Sequence, residues 1–248
     1  MYDSTIRIAH PKSLPNMLPQ LSQRLLTIAN MVSQDSFVVD IGTDHGLLPI
    51  YLLCSGKSRE AYAVDKSPKA LQQAKKNISR FSINHHCRAI QSDGFVNLHY
   101  TMPATVCLAG MGGQTMVSIL QRGLDAKYQS CHPIHEIIVQ PNKNAPLLRK
   151  KISQWKWFLT SETVIKERDL FYITMKWSKQ PLNEDKVLSP KEMFLGSSFL
   201  TKEKSQTYIE WLQHEKKYLL AVQKQAGVHF PSYHKQHLKW IEEKINEL

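Results

Sequence analysis

The chain has 248 residues, 42% hydrophobic and 21% charged, enough for one large or two modest domains with an apolar core. No apolar run reaches the roughly 18 residues of a membrane-spanning helix, and the four scattered cysteines, with no C-x-x-C pair, exclude a disulfide framework and argue against a metal site. The formal net charge of +11 is uneven: residues 1–178 carry 21 Lys and Arg against 12 Asp and Glu, residues 179–248 only 11 against 9.

A basic balance in the larger part fits a polyanionic partner such as RNA, or charge kept for solubility. The first seven residues lack the basic-then-apolar order of a secretory signal. With free thiols expected, a reducing cytoplasmic setting follows.

Residues 1–20 hold three prolines and read as an irregular entry. A helical stripe follows over 21–32, then a strand over 37–41 and a helix over about 45–54, with Pro49 in its first turn. A second strand at 61–64 leads through Ser67-Pro68 into a helix carrying Leu71, Ala74 and Ile78. Further strands are expected at 87–91, 104–109 and 136–139, with helices over about 114–121 and 146–155. Residues 158–166 and 171–177 flank Glu167-Arg168-Asp169-Leu170 as an antiparallel hairpin. Alternating strands and helices predict a doubly wound, mostly parallel α/β sheet, here ended by that hairpin. A second unit over 180–248 is expected to be helical. Helices over 203–224 and after Pro231, the latter with Leu238, Ile241, Ile245 and Leu248 in a heptad-like seam, should pack antiparallel, as a tRNA-binding aid or a dimerisation coiled coil.

The chemistry collects at strand ends. The first strand runs into Asp40-x-Gly42-x-x-x-Gly46, a tight turn that opens a helix and lets a nucleoside-bearing cofactor lie on bare backbone. Asp65 ends the second strand, where a carboxylate can accept from both hydroxyls of a ribose, or can cap the next helix with Ser67. Asp93 and Gly94 follow the third strand and suit an adenine slot, or a plain turn. The fourth ends in Ala109-Gly110-Met111-Gly112-Gly113, placing three of the ten glycines in four residues, and the fifth closes in Gln140-Pro141-Asn142.

The first turn fits the acidic, glycine-rich loop of S-adenosylmethionine enzymes, with Asp44 in place of its middle glycine. Together with Leu21-Ser22-Gln23-Arg24-Leu25, Asp44-His45, the Gly110–Gly113 run, Gln140-Pro141-Asn142 and Asp169-Leu170-Phe171-Tyr172, the chain resembles the bacterial tRNA (adenine-22-N1)-methyltransferases over nearly its whole length. One departure is visible: Gly46-Leu47 stands where members of that family often have Ala-Tyr. The resemblance implies a class I methyltransferase fold at 1–179 and a helical domain at 180–248, acting on N1 of an adenine in tRNA. It implies cofactor contacts at Asp40, Gly42, His45, Gly46, Asp65, Asp93, Gly94, Ala109, Gly110 and Met111. Asp44 is the candidate to stabilise the charge developing on the adenine, with Gln140 and Asn142 on the adenine edge; His45, read as the first helix residue, faces the methionine end of the cofactor. Arg24, Lys75, Lys76, Arg149, Lys150 and Lys151 are the candidates for RNA phosphates. No metal and no membrane are expected as partners, and a monomer is favoured over a dimer. Other readings are a class I methyltransferase on another RNA or a small molecule, and a non-catalytic RNA-binding protein on the same scaffold.

Overall fold

The structure, a computed structural model, describes residues 18–125, 133–180, 187–202 and 205–248. Most of the expected irregular entry segment, and Cys131, lie outside them. Seven strands form one sheet: β1 (Ser36–Ile41), β2 (Ser58–Asp65), β3 (Cys87–Gln91), β4 (Ala104–Gly112), β5 (Ile134–Lys143), β6 (Phe158–Glu167) and β7 (Leu170–Ser178). Their order is β3-β2-β1-β4-β5-β7-β6. The first five run parallel; β7 enters antiparallel between β5 and β6. The hairpin joining β6 to β7 turns on Arg168 and Asp169, both at positive φ (50° and 61°), the backbone twist that a two-residue hairpin favours.

Both sheet faces are covered, so β1 is buried along its whole length and reads as an almost unbroken apolar run. Alternation still sorts its side chains. Val38 joins the cluster beneath α1 (Gln23–Met31) and α2 (Leu47–Cys54), with Ile28, Ala29, Leu48 and Ile50. Phe37, Val39 and Ile41 point to the opposite face, covered by α4 (Gly113–Gly123) and α5 (Ala145–Gln154). Between these, α3 (Pro68–Arg80) starts as the sequence indicated: Ser67 accepts from the backbone of Ala70, with Pro68 at the first helical position.

After β7 come two short helices that the sequence reading did not foresee, α6 (Pro190–Leu195) and α7 (Ser198–Lys202), then the antiparallel pair α8 (Gln206–Ala226) and α9 (Ser232–Glu247). The pair is not held by its own seam alone. Tyr208, Trp211, Leu212, Leu219 and Ile241 are buried in the same cluster as the second sheet face, and Leu238, Ile245 and Leu248 pack against it.

Arg149 ties this region together, which corrects its expected role. It is fully buried on α5, its Nε donates to Glu162 Oε1 of β6 at 2.7 Å, and its Nη1 donates to the carbonyls of Met193 (2.9 Å) and Phe194 (3.3 Å) in α6. Glu162 Oε2 in turn accepts from the backbone N–H of Ser197 at 2.8 Å. A guanidinium with no exposed surface cannot meet an RNA phosphate; it staples the C-terminal helices to the sheet. Losing one partner strands a buried charge, so Arg149→Met should cost about 3–5 kcal/mol, a fall of several degrees in the thermal midpoint. Arg149→Met combined with Glu162→Leu should recover most of the loss. A single variant that melts with the wild type would contradict this account.

Candidate functional site

A parallel sheet presents ligands with a crevice where its strand order reverses, because the helices after the two central strands leave on opposite faces. Here that point lies between β1 and β4. Their ends are level: Ile41 pairs with Val64 on one side and Leu108 on the other. A cavity of about 910 Å³ opens there, lined by the ends of β1, β2 and β4, the Ser92–Gly94 turn and one face of α4. That volume lies in the range of small-molecule sites.

The floor is the turn after β1. Gly42 has φ +81°, and its N–H and that of Thr43 both donate to the carbonyl of Val64 (2.8 and 2.9 Å), stitching the turn to β2. That φ strains any side chain, and a Cβ on Gly42 would also have to displace the tip of Met111, so bare backbone is favoured. Two consecutive left-handed residues follow, His45 (φ 61°) and Gly46 (φ 70°). The helix therefore begins at Leu47, with Gly46 as its cap, which corrects the expectation of a start at His45. The strained His45 backbone is held by Asn77, whose Nδ2 donates to its carbonyl at 2.8 Å. Its imidazole turns to Asp44, Nε2 to Oδ1 3.0 Å, and neither His45 nor Gly46 lines the cavity. Gly46 instead serves the turn: its φ of +70° strains a side chain, and a Cβ there would also crowd Ala74 on α3 at 3.3 Å.

Three carboxylates face the cavity from strand ends, with Asp44 as a fourth at its rim. Asp40 is buried, and burial pushes its carboxyl up to about 6, with the Asp65 charge adding to the effect and Thr43 opposing it. Asp65 lines the cavity, and its Oδ1 accepts from the backbone of Ser67 at 2.7 Å. Asp93 pairs with Arg122 of α4 (Nη1 to Oδ2 3.1 Å), and that guanidinium holds its carboxyl below the usual range. Arg122, Ser118 and Gln114 were missed in the sequence. Their spacing of four places them on one face of α4, a polar stripe opposite its buried residues. The side chain of Asp44 is 83% exposed.

At the β4 and β5 end the motif blocks meet on Arg24. Its backbone N–H donates to Glu167 Oε2 (3.0 Å), its Nη1 donates to Gln140 Oε1 (2.8 Å), and its guanidinium lies 5.6 Å from the centre of the Tyr172 ring. Nη1 would also stand 3.1 Å from a Cβ on Gly110, which has φ +73°. Arg24 thus faces into the cavity rather than outward over a phosphate surface. Gln140 is fully buried with its amide engaged at both ends, Nε2 donating to the carbonyl of Pro141 at 3.0 Å, so it is closed to an adenine edge. Asn142 Nδ2 donates to the carbonyl of Gly110 at 2.7 Å. Asn142 thus holds the glycine run in place, while Gln140 holds Arg24. Lys75, Lys76 and Lys150 are exposed and Lys151 is half-buried.

The cavity suits the group expected from the sequence. Gly42 and Gly110 leave bare backbone at its floor, and the carboxylates of Asp40, Asp65 and Asp93 give it an acidic lining that suits a cationic, hydroxyl-bearing group. A family model described as a methyltransferase domain matches residues 21–175. The chain is 27% identical over 197 residues to the tRNA (adenine(22)-N(1))-methyltransferase of Bacillus subtilis, covering 78% of this chain and 81% of that one. Among solved structures it is similar to M. capricolum TrmK in complex with S-adenosyl-homocysteine (27% identity, TM-score 0.78, 91% and 98% of the two chains). It is also similar to a protein of the NADB-Rossmann superfamily from Streptococcus agalactiae (25% identity, TM-score 0.81, 92% and 99%).

The raised Asp40 carboxyl gives the free protein a pH signature. Folding binds this proton more tightly than the unfolded chain does, so the group costs nothing below about pH 4, where both states hold the proton. The cost grows as pH rises and is complete above about 6. Asp40→Asn should therefore stabilise the ligand-free protein at pH 8 by up to about 3 kcal/mol and leave it unchanged near pH 4. Equal denaturation midpoints for the two proteins at pH 8 would show that Asp40 carries no such penalty.

Proposed function

The chain belongs to the family of methyltransferase domains, and we propose that it transfers a methyl group from S-adenosylmethionine to N1 of adenine 22 in tRNA. The observation that carries this reading is the convergence of five separated sequence blocks on one cavity at the β1/β4 crevice. Arg24, the Asp40–Gly46 turn, Gly110–Gly113, Gln140–Asn142 and Tyr172 all build or support its walls. The activity named for the Bacillus subtilis relative supports the choice of acceptor.

S-adenosylmethionine supplies an electrophilic methyl on a cationic sulfur. The chain's residues supply placement. Asp65 takes the ribose hydroxyls with the oxygen that Ser67 leaves free, and Asp40 faces the cationic amino-acid end. Ser92, Asp93 and Gly94 bound the adenine slot, whose wall Arg122 completes from α4. Adenine N1 already carries an in-plane lone pair, so no base has to remove a proton before attack. Alignment and exposure of the acceptor are what the protein must provide, and a base stacked or paired in tRNA is exposed by flipping. The ring becomes positive as the bond forms. Asp44, at the rim and oriented by His45, stands to offset that charge. Behind it Asn142 fixes the glycine run and Gln140 holds Arg24, as positioning residues. Lys75, Lys76 and Lys150, exposed on α3 and α5, are placed to meet phosphates, in the cytoplasm where tRNA is found.

Calorimetry should detect one S-adenosylmethionine per chain, and Asp65→Ala should weaken that binding tenfold or more. No binding to the wild type would leave only a non-catalytic scaffold; unchanged affinity in the variant would remove Asp65 from the ribose. Incubation with unmodified tRNA and labelled cofactor, followed by digestion to nucleosides, should place the label in N1-methyladenosine. Label in any other nucleoside would reassign the acceptor.

A further inference from the structure

A second cavity, of about 830 Å³, lies between α5 and the C-terminal helices. One wall is the outer face of α5, with Asn144, Leu147 and Lys150; the other is formed by α6, α8 and α9. Aromatic rings from the C-terminal helices stand among its aliphatic and polar lining. Phe194 and His237 stack at 3.7 Å with an interplanar angle of 10°, and Trp240 follows at 5.6 Å from His237. Burial and the neighbouring His234 lower the His237 pKa, which keeps that ring neutral and suited to stacking. Tyr218 stands at the edge, 58% exposed. The rim carries Lys150 and Lys156, both exposed, and the wall one carboxyl, Glu215, which burial raises above its ordinary value against the pull of His214.

The groove begins two residues beyond a contact with the first cavity. Asn142 holds the carbonyl of Gly110 at the first cavity, and Asn144, two residues on, already lines the second. Two residues span at most about 7 Å, within reach of one nucleotide unit. Lys143 stands between them, its side chain 3.6 Å from where a Cβ on Gly112 would be.

We propose that this groove seats an unpaired nucleotide of the substrate tRNA adjacent to the methylated adenosine, its base against the Phe194–His237–Trp240 rings and its phosphate at Lys143 and Lys150. The proposal rests on the tRNA reading above. Stacking on aromatic faces with cations at the rim is how proteins hold single-stranded nucleic acid, and the stacking is worth about 1–3 kcal/mol per base. Glu215 adds a polar group at the wall able to meet a base edge. A flipped acceptor leaves its neighbour unstacked, so a site for that neighbour stabilises the flipped state.

The full-length protein and an unmodified tRNA transcript test this. Tyr218→Ala and Lys156→Glu alter exposed groove residues outside the catalytic cavity, so S-adenosylmethionine affinity should match the wild type. The KM for tRNA should rise about fivefold or more in each. A photo-reactive phenylalanine analogue at position 218 should crosslink to a nucleotide next to the modified adenosine. If the wild type methylates tRNA while both variants keep its KM and the crosslink maps elsewhere or fails, the groove proposal is overturned and the functional reading stands. If the variants change only self-association, the groove is a contact between copies of the chain and the proposal is equally overturned. A wild type that methylates no tRNA would instead overturn the functional reading.

Discussion

The site depends on one constraint: after β1 the chain must turn within six residues, beneath the end of β4, without filling the crevice between them. Left-handed backbone at Gly42, His45 and Gly46 achieves this. Two N–H groups of the turn close on the carbonyl of Val64, Met111 covers Gly42 from β4, and Asn77 holds the His45 carbonyl from α3. The turn is thus fixed from three elements before any ligand arrives. A non-glycine residue in this conformation costs on the order of 1–2 kcal/mol, and His45 bears it beside Asp44, its partner at the cavity rim.

A second constraint ties chemistry to architecture. β7 enters between β5 and β6, and the turn from β6 to β7 carries Glu167 and Tyr172 back beside α1. There they grip Arg24 from two sides, and Arg24 in turn holds Gln140. The antiparallel end of the sheet therefore braces the acceptor side of the cavity. The same end anchors the C-terminal helices through Arg149 and Glu162, and α5, which carries Arg149, also forms one wall of the second cavity.

Much of this was legible in the sequence because the period and punctuation were clean. Residues 87–91 coincide with β3, Ser67-Pro68 announces α3, and the hairpin around Arg168-Asp169 has the expected turn. The acidic strand ends were visible as ends of apolar runs. Other features were written in patterns that a second signal hid. Arg149 belongs to the buried stripe Ala145, Leu148, Arg149, Ile152, a core spacing masked by the lysines that follow it. Gln140 looked like a site residue at a strand end, but β5 continues to Lys143 and buries it. The start of α2 was misplaced because paired left-handed residues leave no mark in hydrophobic periodicity. Ser189 and Glu192 form a capping box that announces α6 in the sequence, yet a short helix without a clear apolar stripe gives nothing more to read.

The central claim is that the β1/β4 crevice delivers a methyl group to N1 of one adenine. A methyl on N1 blocks the Watson–Crick edge, so reverse transcription stops at such a base. Primer extension on a tRNA transcript treated with the protein and S-adenosylmethionine should show a new stop at adenosine 22, absent without either component. A transcript with guanosine at that position should show none. A stop at another adenosine, or full-length extension from a tRNA that has taken up the methyl label, would contradict the account.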